Sequence, residues 1–198
     1  MLIPDGYTDL PAGKIASIVT FLQMCSPPRV ERARGDPAWL LRQHPKPELD
    51  WYRTLFRAIG QDWMWFSRLQ LSDNALRAII HDPTVEVFAL EVNGAEKGIV
   101  ELDGRAMPDI EITFNGLSAD MVGQGAGRFL MESALEIAWA HRPRRVLVHT
   151  CTLDHPRAMK FYLKSGFVPY KRAVEVADDP RLDGTFPETA APQCPVIR

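Results

Sequence analysis

The stretch from Glu111 to Leu130 constrains the fold more than any other part of the chain. It begins with the alternation of a strand, breaks at Asn115, and reaches a glycine-rich turn at Gly123–Gly127. After the turn, apolar residues recur at helical spacing. Glycines let a ligand approach the main chain, and the first turn of a helix offers unpaired N–H groups and positive dipole charge. The stretch therefore predicts a phosphate cradle at a strand–turn–helix junction.

Two familiar phosphate-binding motifs do not fit this turn. The dinucleotide fingerprint G-x-G-x-x-G would need a third glycine at the position of Leu130. The nucleoside-triphosphate loop would need Lys-Ser or Lys-Thr after the glycines, and neither follows. Taken alone, the G-x-G pattern leaves a plain helix-start turn as an equal alternative.

A second motif lies further along the chain, where Ala158, Tyr162, Gly166 and Phe167 match the pattern Ala-x-x-x-Tyr-x-x-x-Gly-Phe. Together with the glycine turn, this motif resembles the GNAT superfamily of acyl-CoA-dependent N-acyltransferases. In that family a Gln/Arg-x-x-Gly-x-Gly/Ala motif at a strand–loop–helix junction binds the pyrophosphate of coenzyme A. The resemblance covers residues 84–176, and residues 1–83 only loosely.

The resemblance implies a set of coenzyme A contacts around the glycine turn. Val122 departs from the polar first position of the family motif, whereas the main-chain contacts depend on the glycines. Asn115, Gly116 and Leu117 would form the bulge that frees main-chain groups for the pantetheine arm, and a simple strand end is the alternative. The residues implied in binding are Leu117, Val122, Gly123, Gln124, Gly125, Ala126, Gly127 and Arg128.

The resemblance also assigns Tyr162 as the acid that protonates the departing thiolate. A phenol suits this role because its ordinary pKa, near 10, lies close to that of a thiol. The alternative is a core tyrosine that packs beside Phe161 and Phe167.

Glu111 matches the glutamate that the histone-acetylating branch of the family uses as a general base. Strand alternation puts Glu111 and Asn115 on one face unless a bulge intervenes. Glu111 would then lie roughly 13 Å from the reacting end of the strand, so we expect it to act through water. Glu101 on the neighbouring strand is the rival base, and His149 is a further candidate because imidazole titrates near neutrality.

The composition narrows the classes of partner that the protein is expected to bind. The chain has 198 residues, 46% apolar content and a net charge of −2, so no strong field invites nucleic acid or an anionic membrane. No apolar run is long enough to cross a bilayer. The widely spaced Cys25, Cys151 and Cys194 form no metal or disulfide pattern, which favours a reducing, cytoplasmic setting. We expect no metal, and we leave a homodimer open.

The order of patterns predicts an α+β fold, a mixed β-sheet flanked by helices of the GNAT type. The first strand is expected at Lys14–Met24. The strands expected at Ile110–Leu117 and Arg145–Cys151, the fourth and fifth in the predicted order, are joined by a helix and should run parallel. We expect one domain over residues 1–177, divided into a helical acceptor-side segment at 29–83 and a coenzyme-binding core at 84–176. Residues 178–198 read as a Pro-rich tail, either draped over the domain or disordered.

Two details concern the predicted acceptor side. Asp36-Pro37 is a plausible helix start, with helices also expected at Leu49–Ile59 and from Ser72. Residues 51–66 are unusually aromatic, which suits the wall of an acceptor pocket, although burial against the sheet explains the same pattern.

The resemblance implies transfer of an acetyl group from acetyl-CoA to the primary amine of a small molecule or a protein. The alternative is a non-catalytic acyl-CoA-binding module on the same fold. The presence of both Tyr162 and Glu111 favours the enzyme.

Overall fold

A seven-stranded mixed sheet organises the protein in the computed structural model, which describes residues 5–28 and 35–198. Its strands are β1 Lys14–Met24, β2 Trp39–Gln43, β3 Val85–Val92, β4 Ala95–Asp103, β5 Asp109–Leu117, β6 Arg145–Cys151 and β7 Val168–Asp178. The described helices are α1 Leu49–Gly60, α2 Asp73–Ile80, α3 Ala126–Ala140 and α4 Ala158–Lys164. The predicted α+β class is confirmed.

The strand order across the sheet is β2-β3-β4-β5-β6-β1-β7. All neighbours pair antiparallel except β5 and β6, which pair parallel as expected for strands joined by a crossover helix, α3. The predicted first strand is confirmed over Lys14–Met24, and it lies inside the sheet between β6 and β7. The edge strand β7 is therefore joined to the rest of the sheet by a strand from the start of the chain.

The helical prediction for residues 29–83 is partly wrong. The Asp36 carboxylate accepts a hydrogen bond from the amide of Ala38 in a turn, and no helix starts there. Trp39–Gln43 instead forms β2, because the edge of β3 offers it a partner that a sequence pattern cannot reveal. The remainder of that segment matches the prediction with α1 and with α2, which Ser72 caps. Residues 29–34 of the prediction lie outside the described residues.

A β-bulge lies in the middle of β5. Glu101 pairs with Phe114 and the next residue of β4, Leu102, pairs with Ile112, so Thr113 is the extra residue. The expectation of a bulge at residues 115–117 is therefore wrong by two to four positions, because register depends on the partner strand.

The bulge changes which face of the sheet each side chain of β5 occupies. We call the side covered by α1 and α2 the α1 face, and the opposite side the α3 face. Ile112 packs on the α3 face and Phe114 on the α1 face, although they are two residues apart. Glu111 pairs with Asp103 on the α1 face, whereas Asn115 pairs with Val100, whose side chain lies in the core of the α3 face. The alternation that would place Glu111 and Asn115 together does not survive.

Separate apolar cores lie on the two faces. The core of the α3 face includes Leu22, Leu102 and Leu130, and that of the α1 face includes Phe56 and Leu76. Each sheet face is thus covered by the apolar sides of its own helices, which is the usual solution for a two-sided sheet.

Residues that follow β7 pack against the domain, as one of the two alternatives for the tail expected. The buried Arg181 pairs with Asp179 at 2.7 Å and donates to the carbonyl oxygen of Cys194 at 2.7 Å. Phe186 is 2% exposed and packs in a third cluster with Met64. The tail thereby closes one end of the α1 face, beside the loop that precedes α2.

Candidate functional site

An opening separates β5 from β6 at their carboxyl ends. The parallel pairing joins Asp109–Glu111 to Arg145–Leu147, yet the strands continue to Leu117 and Cys151. Glu111 is thus the last residue of β5 that pairs with β6. The opening that the family resemblance implied is present, and it connects the α1 face to the α3 face.

The glycine turn lies at the start of α3, directly after β5. Gly123 and Gly125 have φ of 92° and 90°, a region that favours glycine. Within the described chain, α3 carries no side-chain cap and no acidic residue in its first turn, whereas α2 begins with the cap of Ser72 and with Asp73. The N–H groups and positive dipole of α3 therefore remain available to an anion.

The turn has the shape to receive a pyrophosphate. Residues 122–125 are exposed, and a Cβ atom built on Gly123 would meet nothing within 4 Å. A Cβ on Gly127 would lie 3.6 Å from the side chain of Leu117 and one on Gly125 would lie 3.8 Å from Trp39. A ligand can thus approach the main chain closely, and the residues that are present fit the pyrophosphate of coenzyme A.

Side chains support the turn from outside. Gln124 donates to the carbonyl oxygen of Asp120 at 2.6 Å, and Asp120 pairs with Lys97 at 2.7 Å. Arg128 pairs with Glu132 at 2.6 Å along the exposed side of α3. The predicted binding residues, Leu117 and Val122 to Arg128, therefore lie together around one helix start.

Tyr162 reaches the opening from the α3 face. It is 8% exposed and contacts the rings of Phe161 and Phe167. Burial raises the pKa of its phenol, the nearby Asp154 adds to that rise, and a hydrogen bond with the Asn115 side chain opposes it. Tyr162 and Asn115 thus meet between α4 and β5, and burial keeps the phenol protonated.

Asp154 is a site residue that sequence reasoning missed. It lies in the loop before α4, which begins at Ala158. Its carboxylate accepts hydrogen bonds from the hydroxyl of Thr150 at 2.7 Å, the amide of Cys151 at 2.9 Å and the indole of Trp65 at 3.2 Å. An Asp in the turn that follows a strand is a turn signal, and that signal could have identified it.

Trp65 covers the end of β5. A Cβ atom on Gly116 would lie 2.7 Å from Cη2 of Trp65, so the indole packs directly on this glycine. Because the same indole donates to Asp154, it links the loop before α2 to the loop after β6. The opening is therefore bridged on the α1 face by one aromatic side chain.

The aromatic segment at 51–66 divides into two roles. Tyr52 and Phe56 are fully buried in the core of the α1 face, which fits the packing alternative. Trp63 contacts the His155 ring at a centroid distance of 5.0 Å, beside the loop that holds Asp154. Trp63 and Trp65 are thus the aromatics of this segment that reach the loop after β6.

Glu111 forms a pair with His149 on the α1 face. His149 Nδ1 lies 2.8 Å from Glu111 Oε1, and the two side chains are 39% and 35% exposed. The hydrogen bond with Glu111 is the largest cause of a raised pKa at His149; burial opposes the rise, and Asp154 and Glu175 reinforce it. The sequence named both residues but could not show that they touch.

A pocket of about 250 Å³ adjoins this pair. Its chief polar lining comes from β4, β5 and the loop between them, and Leu147 contributes from β6. The acidic side chains in it are those of Asp103, Asp109 and Glu111. Asp103 is paired with Arg105 at 2.6 Å and Asp109 with Arg144 at 2.8 Å, so Glu111 is the one of the three whose partner titrates near neutrality.

Glu101, the rival base, is completely buried. Its carboxylate accepts a hydrogen bond from the Tyr52 hydroxyl at 2.5 Å and pairs with Arg68 at 2.6 Å. Both carboxylate oxygens are engaged, and burial raises the pKa of Tyr52 well above its ordinary value. Glu101 is therefore held as a structural carboxylate.

The described residues contain neither a metal-binding cluster nor a membrane-spanning helix. No group of three or more His, Cys, Asp or Glu side chains is placed to hold a metal ion. None of the helices there is long and apolar enough to cross a membrane.

Comparison with known families gives one match to a sequence profile. The profile is described as an acetyltransferase (GNAT) domain and matches residues 60–178, which is more than half of the chain. The matched range includes β3 to β7, the glycine turn and Tyr162, while β1 and β2 lie outside it. The search of curated proteins found no match.

Several solved structures share the fold. A functionally unknown conserved protein from Staphylococcus epidermidis matches with a TM-score of 0.57 and 16% identity, over 84% of this chain and 64% of that one. A GCN5-related N-acetyltransferase from Kribbella flavida matches with a TM-score of 0.56 and 15% identity, over 86% and 63%. An aminoglycoside acetyltransferase from an uncultured soil metagenomic sample, solved with trehalose, gives 0.54 and 14%, over 66% and 89%. Such identities show the fold alone, and the chain spans less than two thirds of the first two structures.

Proposed function

Because the chain belongs to the GNAT acetyltransferase family, we propose that it moves an acetyl group from acetyl-CoA to a primary amine by direct attack. One observation carries the proposal: the uncapped start of α3, with its two glycines of positive φ, lies beside the opening into which Tyr162 reaches. A cradle for phosphate, a gap between strands and a proton donor occur together. That combination suits the binding and cleavage of an acyl thioester.

The amides of Gln124 to Arg128 would hold the pyrophosphate, with the exposed Val122 and Gly123 beside them. Leu117 would contact the ligand at the end of β5. Acetyl-CoA supplies the thioester and a thiol leaving group. The start of α3 favours the anion through its N–H groups and dipole, and this contribution does not depend on the amine acceptor.

Tyr162 would protonate the leaving sulfur. Burial raises the pKa of the phenol, so it carries a proton at neutral pH but gives it up reluctantly. The hydrogen bond from Asn115 favours the phenolate and so eases the transfer. The bulge at Thr113 serves this chemistry, because it turns Asn115 towards Tyr162.

The acceptor amine would be deprotonated on the other face, where Glu111 lies. Glu101 does not suit this role because both of its oxygens are engaged in the core. The bulge at Thr113 thus puts Asn115, the neighbour of Tyr162, on the α3 face, while Glu111 lies on the α1 face. An amine entering from the α1 face would meet the base before it reaches the thioester.

The acceptor class follows from the carboxylates that lie near the opening on the α1 face. Carboxylates at Glu111 and Asp154 would favour a cationic amine, on a small molecule or on a protein. An aminoglycoside is one such small molecule, and a structural neighbour is named for that activity. We include in the proposal a cytoplasmic setting, which the three free cysteines support.

The test combines coenzyme binding with thiol release. Acetyl-CoA is mixed with the protein and with butylamine, phenethylamine, spermidine, sisomicin or a lysine peptide, and free thiol is measured. Gly127→Asp is compared with Gly127→Asn, since a Cβ there meets only Leu117 at 3.6 Å and the two side chains differ mainly in charge. We expect the Asp variant to weaken acetyl-CoA binding about tenfold more than the Asn variant, because a fixed negative charge would repel the pyrophosphate.

The outcomes separate the candidate functions. Equal affinity of the two folded variants in calorimetry would place the coenzyme elsewhere. Tight binding of acetyl-CoA without thiol release from any amine in the panel would favour the non-catalytic binding module.

A further inference from the structure

The pair between Glu111 and His149 lies at the opening between β5 and β6. The predicted acid, Tyr162, lies on α4, the next helix after β6. His149 follows Leu147, the last residue of β6 that pairs with β5, so its side chain lies where the two strands part. We propose that His149 takes the proton of the acceptor ammonium on Nε2 and that Glu111 is its positioning residue. This inference rests on the proposed function and assigns the base within it.

The hydrogen bond fixes the tautomer that such a base needs. A carboxylate only accepts hydrogen bonds, so a neutral His149 must donate from Nδ1 to Glu111 Oε1. The second nitrogen, Nε2, then carries the free lone pair. Glu111 therefore holds the imidazole as a proton acceptor, in the place where the sequence led us to expect a bridging water.

Neighbouring strands fix the ring. Phe21 of β1 pairs with His149, and the two ring centroids lie 5.8 Å apart. The other neighbour of β1 is β7, and Nζ of its Lys171 lies 4.5 Å from the centroid of the Phe21 ring. The imidazole is thus packed on one side by an aromatic ring, and its side chain remains 39% exposed.

Charges around the ring favour the protonated form. Glu111 acts from β5, Asp154 from the loop after β6 and Glu175 from β7, and each raises the pKa of His149. Lys171, the cation that faces this region from β7, lies over the intervening Phe21. The imidazolium produced by proton transfer is therefore stabilised by three carboxylates.

The reaction balances with the groups named. The amine nitrogen loses a proton to His149 Nε2 and forms a bond to the acetyl carbon. The carbon–sulfur bond breaks, and the sulfur takes a proton from Tyr162. The nitrogen then gives up its second proton, which returns the Tyr162 phenolate to the phenol, so that one proton in total remains on His149. Imidazole, with an ordinary pKa near 6.5, matches this transfer at neutral pH better than a carboxylate that already accepts a hydrogen bond.

The kinetic test uses the panel amine with the fastest wild-type thiol release. His149→Gln should lower kcat about a hundredfold, the usual contribution of a general base, and should remove the acidic limb of the pH–rate profile. Glu111→Gln should lower kcat about tenfold and move that limb to lower pH, because the largest cause of the raised His149 pKa is gone. Acetyl-CoA affinity should stay unchanged in both variants.

A matched control exists at the end of α3. His141 Nε2 lies 2.7 Å from Glu86 Oε2, so His141→Gln removes a similar surface pair far from the glycine turn. We expect its turnover and pH profile to equal those of the wild type. If His149→Gln keeps its acidic limb and loses no more activity than His141→Gln, the assignment is overturned while acetyl transfer itself stands.

Nitrogen NMR tests the same assignment without any acceptor. In the neutral form the His149 signals should show a protonated Nδ1 and a bare Nε2, and the titration midpoint should fall in Glu111→Gln. A protonated Nε2, or an unchanged midpoint, would overturn the proposal. Failure of the wild type to release thiol with any amine would defeat the proposed function instead, whatever the NMR result.

Discussion

Glu101 and Glu111 lie on the same face of neighbouring strands, and their environments are opposite. Glu101 is completely buried between Tyr52 and Arg68. Glu111 is 35% exposed and faces His149. Arginine keeps its charge at any pH the protein will meet, whereas histidine changes charge near neutrality. Glu101 is thus paired with a permanent cation, and Glu111 is paired with a side chain that can take up and release a proton.

The comparison teaches how burial and partner together decide what a carboxylate can do. A buried ion pair is costly to break because the remaining charge has no solvent. A half-exposed pair contributes little to stability, and its partner stays accessible to a substrate. Glu101 therefore stabilises the core of the α1 face, whereas Glu111 remains accessible for the chemistry proposed there.

The largest expected effect comes from breaking the buried pair. Arg68→Met leaves the Glu101 carboxylate buried with only the Tyr52 hydroxyl as a partner, so the free energy of unfolding should fall by about 3–5 kcal/mol. Urea unfolding measures this loss. Arg42→Met is the control, because it removes an exposed arginine from Glu91 and should change the stability little.

A double variant sharpens the interpretation of that loss. Glu101→Gln added to Arg68→Met removes the buried charge but keeps an oxygen for the Tyr52 hydroxyl, so it should recover part of the lost stability. A double variant that is less stable than Arg68→Met alone would show that packing, not the unpaired charge, causes the loss.

The next effect separates the two carboxylates by function. Glu111→Gln should slow turnover about tenfold and change the free energy of unfolding by less than about 1 kcal/mol, as for exposed pairs. Glu101→Gln should do the reverse and lower stability while a folded sample keeps its turnover. Paired urea titrations and kinetics decide this. A loss of turnover in stable Glu101→Gln, with Glu111→Gln unaffected, would move the base to β4.

Local features of the site could be predicted from the sequence. Gly123, Gly125 and the helix from Ala126 are specified by adjacent residues, and the structure has them where expected. The parallel pairing of β5 and β6 followed from the crossover rule. Tyr162 was recognised by its motif, and its contact with Asn115 could be inferred only from the fold.

Features that depend on a distant partner could not be predicted. The bulge at Thr113 is defined by pairing with β4, because residues 111–117 of β5 lie opposite residues 98–103 of β4 and one residue of β5 is left over. No pattern within β5 marks that residue. The contact between Glu111 and His149 depends on that register and on β6. The strand Trp39–Gln43 depends on the free edge of β3. In each case pairing between strands decided which face a residue occupies.

The smallest expected effect is a difference in how the two pairs respond to pH. The folded protein raises the pKa of His149 above its unfolded value of about 6.5. Its pair with Glu111 should therefore stabilise the fold fully below about pH 6.5 and lose that contribution as pH rises through the higher folded pKa. Unfolding free energies of the wild type and His149→Gln, measured from about pH 6 to about pH 9, should converge as pH rises. The difference between the wild type and the double variant Arg68→Met/Glu101→Gln should stay flat over the same range, because neither arginine nor glutamine titrates there. Added salt should shrink the His149 effect, since that pair is partly exposed. A His149 contribution that grows with pH would mean that the folded state favours the neutral imidazole, and the three carboxylates around the ring would then not act as assigned.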